Sequence, residues 1–148
     1  MPGATRTIII NATPSTLYNV IVDYPAYASF LAEVESATVT SRENSTTTAT
    51  FTVDLKVKRI SYTLQLEETL NQSVTWSLVT GDFMTVNNGS WYLNDLGDGR
   101  TEATYSVEVV PQVPRLLSRL KNTISQKLTE QSLPRTLEAF KQRAESLS

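Results

Sequence analysis

The stretch Ile10-Asn-Ala-Thr-Pro-Ser-Thr-Leu-Tyr-Asn-Val-Ile-Val-Asp-Tyr-Pro-Ala-Tyr-Ala-Ser-Phe-Leu31 decides the fold, because it leads the chain from a strand into two short helices. Thr13 followed by Pro14 is typical of a helix N-cap and of the first helical position, where proline is tolerated. The apolar residues of 14–22 keep helical spacing, and Asp23 is placed to cap a second short helix. The stretch therefore predicts the order strand, helix, helix.

The segments on both sides of this stretch are predicted to be strands. Residues 5–12 are rich in β-branched side chains, which favour strands. Between residues 34 and 110 apolar and polar residues alternate, with turn residues roughly every 10 to 15 positions, as in an antiparallel meander. One face of residues 46–57 carries Ala49, Phe51, Val53, Leu55 and Val57. We therefore expect five or six further strands that share one apolar face.

Beyond residue 113 the apolar residues repeat with the 3.6-residue period of a helix. Pro134 interrupts this stripe, because its ring and missing N–H disrupt the preceding turn, so we expect a kink or break near residues 130–134. The patterns together predict an α+β fold in a single domain that spans residues 1–148. A curved antiparallel sheet of six or seven strands is expected to surround a long C-terminal helix, with two short helices after the first strand.

Cysteine and histidine, two residue types that carry much enzyme chemistry, do not occur in the chain. Without them the sequence offers no disulfide, no thiolate nucleophile, no Ser-His pair and no ordinary zinc site. It also contains no Gly-rich phosphate loop. We therefore predict no catalytic residue, no metal site and no cofactor, and we expect a binding protein rather than an enzyme.

The charge of the chain is unevenly distributed. Residues 111–148 carry seven Lys/Arg and three Asp/Glu, whereas the whole chain has a net charge of −2. A basic helix can approach an anionic membrane, so we expect transient contact of the C-terminal helix with a membrane surface. Its charges are mixed in sign and the pI is near 5.2, so no nucleic-acid partner is expected. We recognise no signal peptide and no long apolar run, and predict a cytoplasmic location.

The predicted architecture implies a cavity. One helix, about 10 Å across, cannot fill the hollow of a curled sheet, so either large side chains or a ligand must occupy it. Within residues 81–93 the period of two places Gly89, Trp91 and Leu93 on one face. The glycine either leaves room beside the tryptophan for a ligand or a helix, or marks a β-bulge. Both interpretations remain open at the level of sequence.

Three pieces of the chain together resemble the START-like (SRPBCC, or helix-grip) superfamily, and within it the polyketide cyclase/dehydrase and coenzyme-Q-binding lipid-transport branch. They are residues 10–31, the Gly-x-Phe…Gly-x-Trp-x-Leu pattern of residues 81–93, and the amphipathic terminal helix. The resemblance implies a helix-grip fold that encloses a cavity for lipids, quinones, sterols or polyketides. The sequence departs from the quinone-binding branch at one point, because its interval from Phe83 to Gly89 is one residue longer. A local bulge would absorb the extra residue.

Transferred by position, the resemblance implies a ligand pocket with three parts. The sheet would supply the wall residues Phe51, Val53, Leu55, Tyr62, Leu64, Trp76, Leu78, Trp91 and Tyr105. The terminal helix would supply the lid residues Leu117, Leu120, Ile124 and Leu128, and the second short helix would close one end with Tyr27 and Phe30.

Three functions are compatible with this pattern. The first is the binding and transport of a hydrophobic small molecule, for which an apolar pocket and a few polar anchors suffice. The second is that of a polyketide aromatase/cyclase, with Arg59, Tyr62 and Tyr105 as polar groups of the pocket. The third is that of a ribosome- or protein-interaction module, which the dispersed basic residues do not favour. We carry the first forward as the leading hypothesis.

Overall fold

The computed structural model describes residues 3–56, 58–129 and 133–147. Its strands are β1 Gly3–Ile10, β2 Val34–Glu43, β3 Thr46–Asp54, β4 Arg59–Thr69, β5 Ser73–Gly81, β6 Met84–Asp95 and β7 Thr101–Pro111. They form one antiparallel sheet in the spatial order β1-β7-β6-β5-β4-β3-β2. From β2 to β7 each strand pairs with the next one along the chain, and β1 pairs with β7. The predicted antiparallel meander is confirmed.

The link from β1 to β2 contains two short helices, as predicted. They are α1, Pro14–Val22, and a 3-10 helix, Tyr24–Ser29. The Oγ1 atom of Thr13 accepts a hydrogen bond from the backbone N–H of Thr16 at 3.2 Å, which confirms the N-cap. The side chain of Asp23 makes no capping hydrogen bond within the described residues, so the expected cap is wrong. Its backbone oxygen closes the first turn instead, because in a 3-10 helix it can accept from Ala26 N–H, at 3.1 Å.

The C-terminal apolar stripe folds as three successive helical pieces. They are the terminal 3-10 helix, Arg115–Leu120, then α2, Lys121–Leu128, and α3, Leu133–Ser146. The predicted interruption lies between α2 and α3, while residues 130–132 are outside the described part of the chain. Pro134 opens α3 because an N–H in the first turn of a helix has no intrahelical partner to lose. None of the described helices is long and apolar enough to span a membrane.

The turn after β3 differs from the sequence-based expectation. We predicted a strand through residue 57, but β3 ends at Asp54 and Val57 lies outside the described residues. A carboxylate oxygen of Asp54 accepts a hydrogen bond from the backbone N–H of Lys56 at 2.8 Å, and Lys56 has a φ of 74°. This local side-chain bond stabilises a turn and so competes with further strand pairing.

Two adjoining hydrophobic clusters form the core. The larger one joins the sheet to α1, the first 3-10 helix and α3, and its largest buried members include Leu17, Tyr24, Phe51 and Phe140. The smaller one includes Val53, Ile60, Val109 and Ile124, with Leu120 packed against it. The interruption of the terminal stripe therefore lets two helices cover two different parts of one curved sheet.

A partly buried hydrogen-bond network fixes the first 3-10 helix to the sheet. The hydroxyl of Tyr24, which is fully buried, donates to Glu68 Oε2 at 2.6 Å, and the hydroxyl of Thr47 donates to the same oxygen at 3.1 Å. Because hydrogen bonds to a charged group stabilise more than neutral ones, this network gives the helix a defined position above β3 and β4.

Candidate functional site

A cavity of about 250 Å³ lies between the concave face of the sheet and the helices that cover it. Its floor is formed by inward-facing residues of the central strands. Its other walls come from the 3-10 helix Tyr24–Ser29, the segment that leads into β2, and the first half of α3. An apolar cavity of about 150 Å³ is large enough to bind benzene, so this one has room for a larger guest.

Most residues that the resemblance assigned to the pocket do line this cavity. They are Tyr27, Phe30, Phe51, Val53, Leu55, Tyr62, Leu64, Trp76, Trp91 and Tyr105. Alternation brings the strand residues of this set together, because side chains two residues apart on a strand point to the same face, and that face is concave here. Tyr27 and Phe30 come from the segment of the first 3-10 helix. Leu78 does not line the cavity. It lies beside the β4–β5 register shift and is half-buried between the two core clusters.

Three of the four predicted lid residues lie away from the cavity lining. Ile124 and Leu120 belong to the smaller core cluster, and Leu117 is half-buried but does not line the cavity. The side chain of Leu128 lies outside the described part of the structure. The lid is formed instead by α3, through Arg135, Thr136, Ala139 and Phe140. The break before α3 explains the difference, because it moves the first half of the stripe off the cavity.

Several lining residues were not predicted. They are Ile21, Tyr24, Leu31, Ala32, Glu33, Val34, Leu66, Val74, Asn87, Val107, Lys127, Arg135, Thr136, Ala139 and Phe140. Alternation could have found those on the strands, since Asn87 has the same parity as Trp91, and Val74 has the same parity as Trp76. The residues of α3 carried no such signal, because helical periodicity defines a face but not the surface that the face covers.

An aromatic network forms one side of the cavity and connects four elements, namely the segment of the first 3-10 helix, α3, β6 and β7. The Phe140 ring makes edge-to-face contacts with Tyr27, Phe30 and Trp91, at centroid distances of 5.3, 5.2 and 5.1 Å. Trp91 in turn contacts Tyr105 at 4.9 Å. Such ring pairs stabilise beyond their buried area, so the wall on this side is held in a defined shape.

Four tyrosines among the described residues line the cavity, and three of them, Tyr27, Tyr62 and Tyr105, lie outside the hydrogen-bond network of Tyr24 and Glu68. The hydroxyl of Tyr27 donates to the backbone oxygen of Ile21. Burial raises the pKa of Tyr105 to about 12. Burial also raises the pKa of Tyr62 and that of Tyr27, and for both groups a charge on Tyr105 would add to the shift. All three are therefore neutral at physiological pH and unsuited to act as a base, and Tyr62 and Tyr105 can each still donate a hydrogen bond.

The mouth of the cavity carries its charged residues. The exposed members of the lining are Ala32 and Arg135, which places the opening between the segment before β2 and the start of α3. Across it Arg135 Nη2 lies 2.6 Å from Glu33 Oε1. Lys127 also contributes to the lining. The ion pair of Glu33 and Arg135 is thus at the rim and the interior is predominantly apolar, as in pockets for hydrophobic ligands.

Arg59, considered above as a polar group of a cyclase pocket, lies elsewhere. Its side chain is exposed on the surface and pairs with Glu35 at 2.7 Å. The hydrogen bond from Arg59 to this carboxylate, and the charge of the carboxylate, raise the pKa of the guanidinium further. The strand alternation that turns Ile60 and Tyr62 inward turns Arg59 outward, so the chemistry proposed for it is wrong.

Gly89 has a structural role that neither sequence-based interpretation anticipated. A Cβ atom at this position would lie 2.2 Å from Trp76 Cζ2 and 2.5 Å from the backbone oxygen of Ser106. The glycine therefore makes room for the indole of the cross-strand residue Trp76. The register is regular at Gly89, and the irregularity lies between Met84 and Val86, inside the lengthened interval noted in the sequence.

The comparisons with known proteins agree with this geometry. The model of the family described as polyketide cyclase/dehydrase and lipid transport matches residues 10–141. A search of curated proteins found no match. Among solved structures, the Zhui aromatase/cyclase from Streptomyces sp. R1128 superposes with a TM-score of 0.85 at 14% identity, covering 97% of this chain and 93% of the other.

Two further structures show the same fold. The protein TTHA0849 from Thermus thermophilus has a TM-score of 0.85 at 19% identity, and a START superfamily protein from Mycobacterium smegmatis has a TM-score of 0.81 at 17% identity. Both alignments cover 99% of each chain. With the family model matched from β1 to α3, the chain belongs to the polyketide cyclase/dehydrase and lipid transport family.

Proposed function

We propose that residues 1–148 form one ligand-binding domain that binds a hydrophobic small molecule in the central cavity. The observation that carries the proposal is the cavity itself, with about 250 Å³ of space walled by aromatic and aliphatic side chains. Burial of apolar surface stabilises a complex by roughly 25 cal/mol per Å², so a two-ring molecule or a short acyl segment gains enough to bind. A long quinone or an extended polyketide would have to protrude through the mouth.

A substitution that fills the cavity tests this proposal. Ala139 lies on the face of α3 that lines the cavity, and Gln142 lies exposed on the same helix. We expect Ala139→Trp to weaken the binding of naphthalene at least tenfold in equilibrium dialysis, because the indole occupies the same space. Gln142→Trp adds the same side chain to the solvent side and should bind naphthalene like the parent protein. Equal affinity of the parent and Ala139→Trp would contradict the proposal.

An aromatase/cyclase is the second candidate, and the cavity tyrosines favour it. Tyr62 and Tyr105 bring neutral hydroxyls into the cavity lining, and such groups can donate to the carbonyl groups of a polyketide. Cyclisation also needs a base near the reacting carbon. The acidic side chain among the lining residues is Glu33, at the mouth and paired with Arg135. Binding therefore requires less of the cavity than catalysis does, and we place it first.

We also propose that the protein contacts anionic membranes through residues 115–122. Exposed residues there occupy two of every three positions, while Leu117 and Leu120 are half-buried. Leu116 is 96% exposed and is flanked by the exposed residues Arg115 and Arg119, which have no ion pair among the described residues. An exposed leucine between cations matches the interface of an anionic bilayer, which accepts apolar and basic groups together.

Vesicle co-sedimentation tests the membrane contact. We expect binding to phosphatidylglycerol vesicles to exceed binding to phosphatidylcholine vesicles, and Leu116→Ser to weaken it several-fold. Leu70→Ser is the matched control. Leu70 is 69% exposed, but it follows the acidic residues Glu67 and Glu68 at the C-terminal end of β4, where an anionic membrane is not attracted. Equal sedimentation of the parent protein with both vesicle types would exclude the proposed contact.

A further inference from the structure

Asn87 is a buried polar residue in the wall of the cavity. It is only 4% exposed, and it lies on β6 two residues before Gly89 and four before Trp91, so all three share the concave face. Its neighbour across the ladder on β7 is Val109, a fully buried core residue. An amide in such a position is costly unless its hydrogen bonds are made.

The hydrogen bonds of Asn87 are mostly unmade by the protein. Its side-chain nitrogen donates to the sulfur of Met84 at 3.8 Å, and thioether sulfur is a weak acceptor. Its side-chain oxygen has no hydrogen-bond partner among the residues that the structure describes. The amide can make up to four hydrogen bonds, so most of its capacity is unused at a residue that lines the cavity.

The other polar groups of the interior are also neutral. Tyr62 and Tyr105 line the same cavity, and their hydroxyls donate to no group within the described parts of the chain. The charged lining residues are Glu33 and Arg135, which pair with each other at the mouth, and Lys127. A carboxylate deep in this cavity would lose its hydration and gain no buried cation, whereas a hydroxyl or carbonyl group would find donors and an acceptor.

We infer that Asn87 anchors the ligand, and that the ligand is an uncharged molecule of about two rings that carries a hydroxyl or carbonyl group. The inference rests on the proposed function and adds the chemical class of the ligand to it. The amide of Asn87 recognises the polar atom, because it offers both a donor and an acceptor, while the aromatic wall packs against the ring. Anionic ligands of the same shape are rejected at this site.

Three probes of one shape test the inference: naphthalene, 2-naphthol and 2-naphthoate. Equilibrium dialysis at neutral pH gives the affinity of each for the parent protein and for Asn87→Leu, which replaces the amide with a side chain of similar size. We expect Asn87→Leu to weaken 2-naphthol binding about tenfold and to leave naphthalene binding equal or tighter. 2-Naphthoate should bind the parent protein at least tenfold more weakly than 2-naphthol. Asn88→Leu, an exposed neighbour on the opposite face of β6, should change none of these affinities.

Each outcome separates this inference from the proposed function. If naphthalene fails to bind the parent protein, the proposed function fails with it. If naphthalene binds but 2-naphthol has the same affinity for the parent protein and Asn87→Leu, the anchor is overturned while cavity binding stands. Tight binding of 2-naphthoate overturns the uncharged class. Naphthalene binding by Asn87→Leu shows that the cavity of this variant is intact. If leucine disturbs the packing, Asn87→Ala takes its place, and it too should weaken the binding of 2-naphthol.

Discussion

We expect Phe140→Ala to lower the free energy of unfolding by about 4 kcal/mol, because it removes a buried ring and leaves a void beside the existing cavity. Phe140 is 2% exposed and contacts aromatic rings on two other elements. Tyr27 and Phe30 belong to the segment that contains the first 3-10 helix, and Trp91 lies on β6. The single side chain thus attaches α3 both to the sheet and to the segment at the mouth of the cavity.

Urea denaturation of the parent protein and the variant measures this effect. Leu70→Ala is the control, since Leu70 is 69% exposed and its truncation should change the stability by no more than about 0.5 kcal/mol. Phe140→Leu keeps most of the apolar volume and should lose less than Phe140→Ala. A loss below about 1.5 kcal/mol for Phe140→Ala would show that α3 does not depend on this ring for its attachment.

Gly89→Ala should destabilise the protein by about 3 kcal/mol, at the upper end of the range for overpacked positions. The new methyl group would lie 2.2 Å from the Trp76 ring and 2.5 Å from the backbone oxygen of Ser106. The oxygen belongs to β7, which is held between β6 and β1, so the indole has to move. Because Trp76 also lines the cavity, its displacement should weaken naphthalene binding as well.

A double-mutant cycle identifies the source of this cost. In a Trp76→Leu background the smaller side chain leaves part of the space free, so Gly89→Ala should cost at least about 1 kcal/mol less than in the parent protein. Gly97→Ala is a control for backbone strain without steric overlap. A Cβ there meets no atom within 4 Å, so any loss of stability comes from the positive φ of 85°. An unchanged cost of Gly89→Ala in the Trp76→Leu background would mean that the indole is not the obstacle.

The pattern of the chain was sufficient for the order of the elements and for the floor of the cavity. Thr13 and Pro14 mark the start of α1, and the alternation after residue 34 predicts the meander with its apolar face. Local backbone geometry explains this success, because a period of two fixes which side chains share a face without reference to distant residues. Phe51 and Trp91 were assigned to the cavity wall on that basis, through the resemblance to the superfamily.

Only the tertiary structure decided which helix covers the cavity and which polar groups lie in it. The helical stripe runs through both Ile124 and Phe140. The interruption between α2 and α3 determines which core cluster each half of the stripe packs into. The pair formed by Glu33 and Arg135, and the clearance between Gly89 and Trp76, join residues that are distant or on different strands. Periodicity reports the direction of a side chain relative to its own element, whereas contacts depend on how the elements are placed against one another.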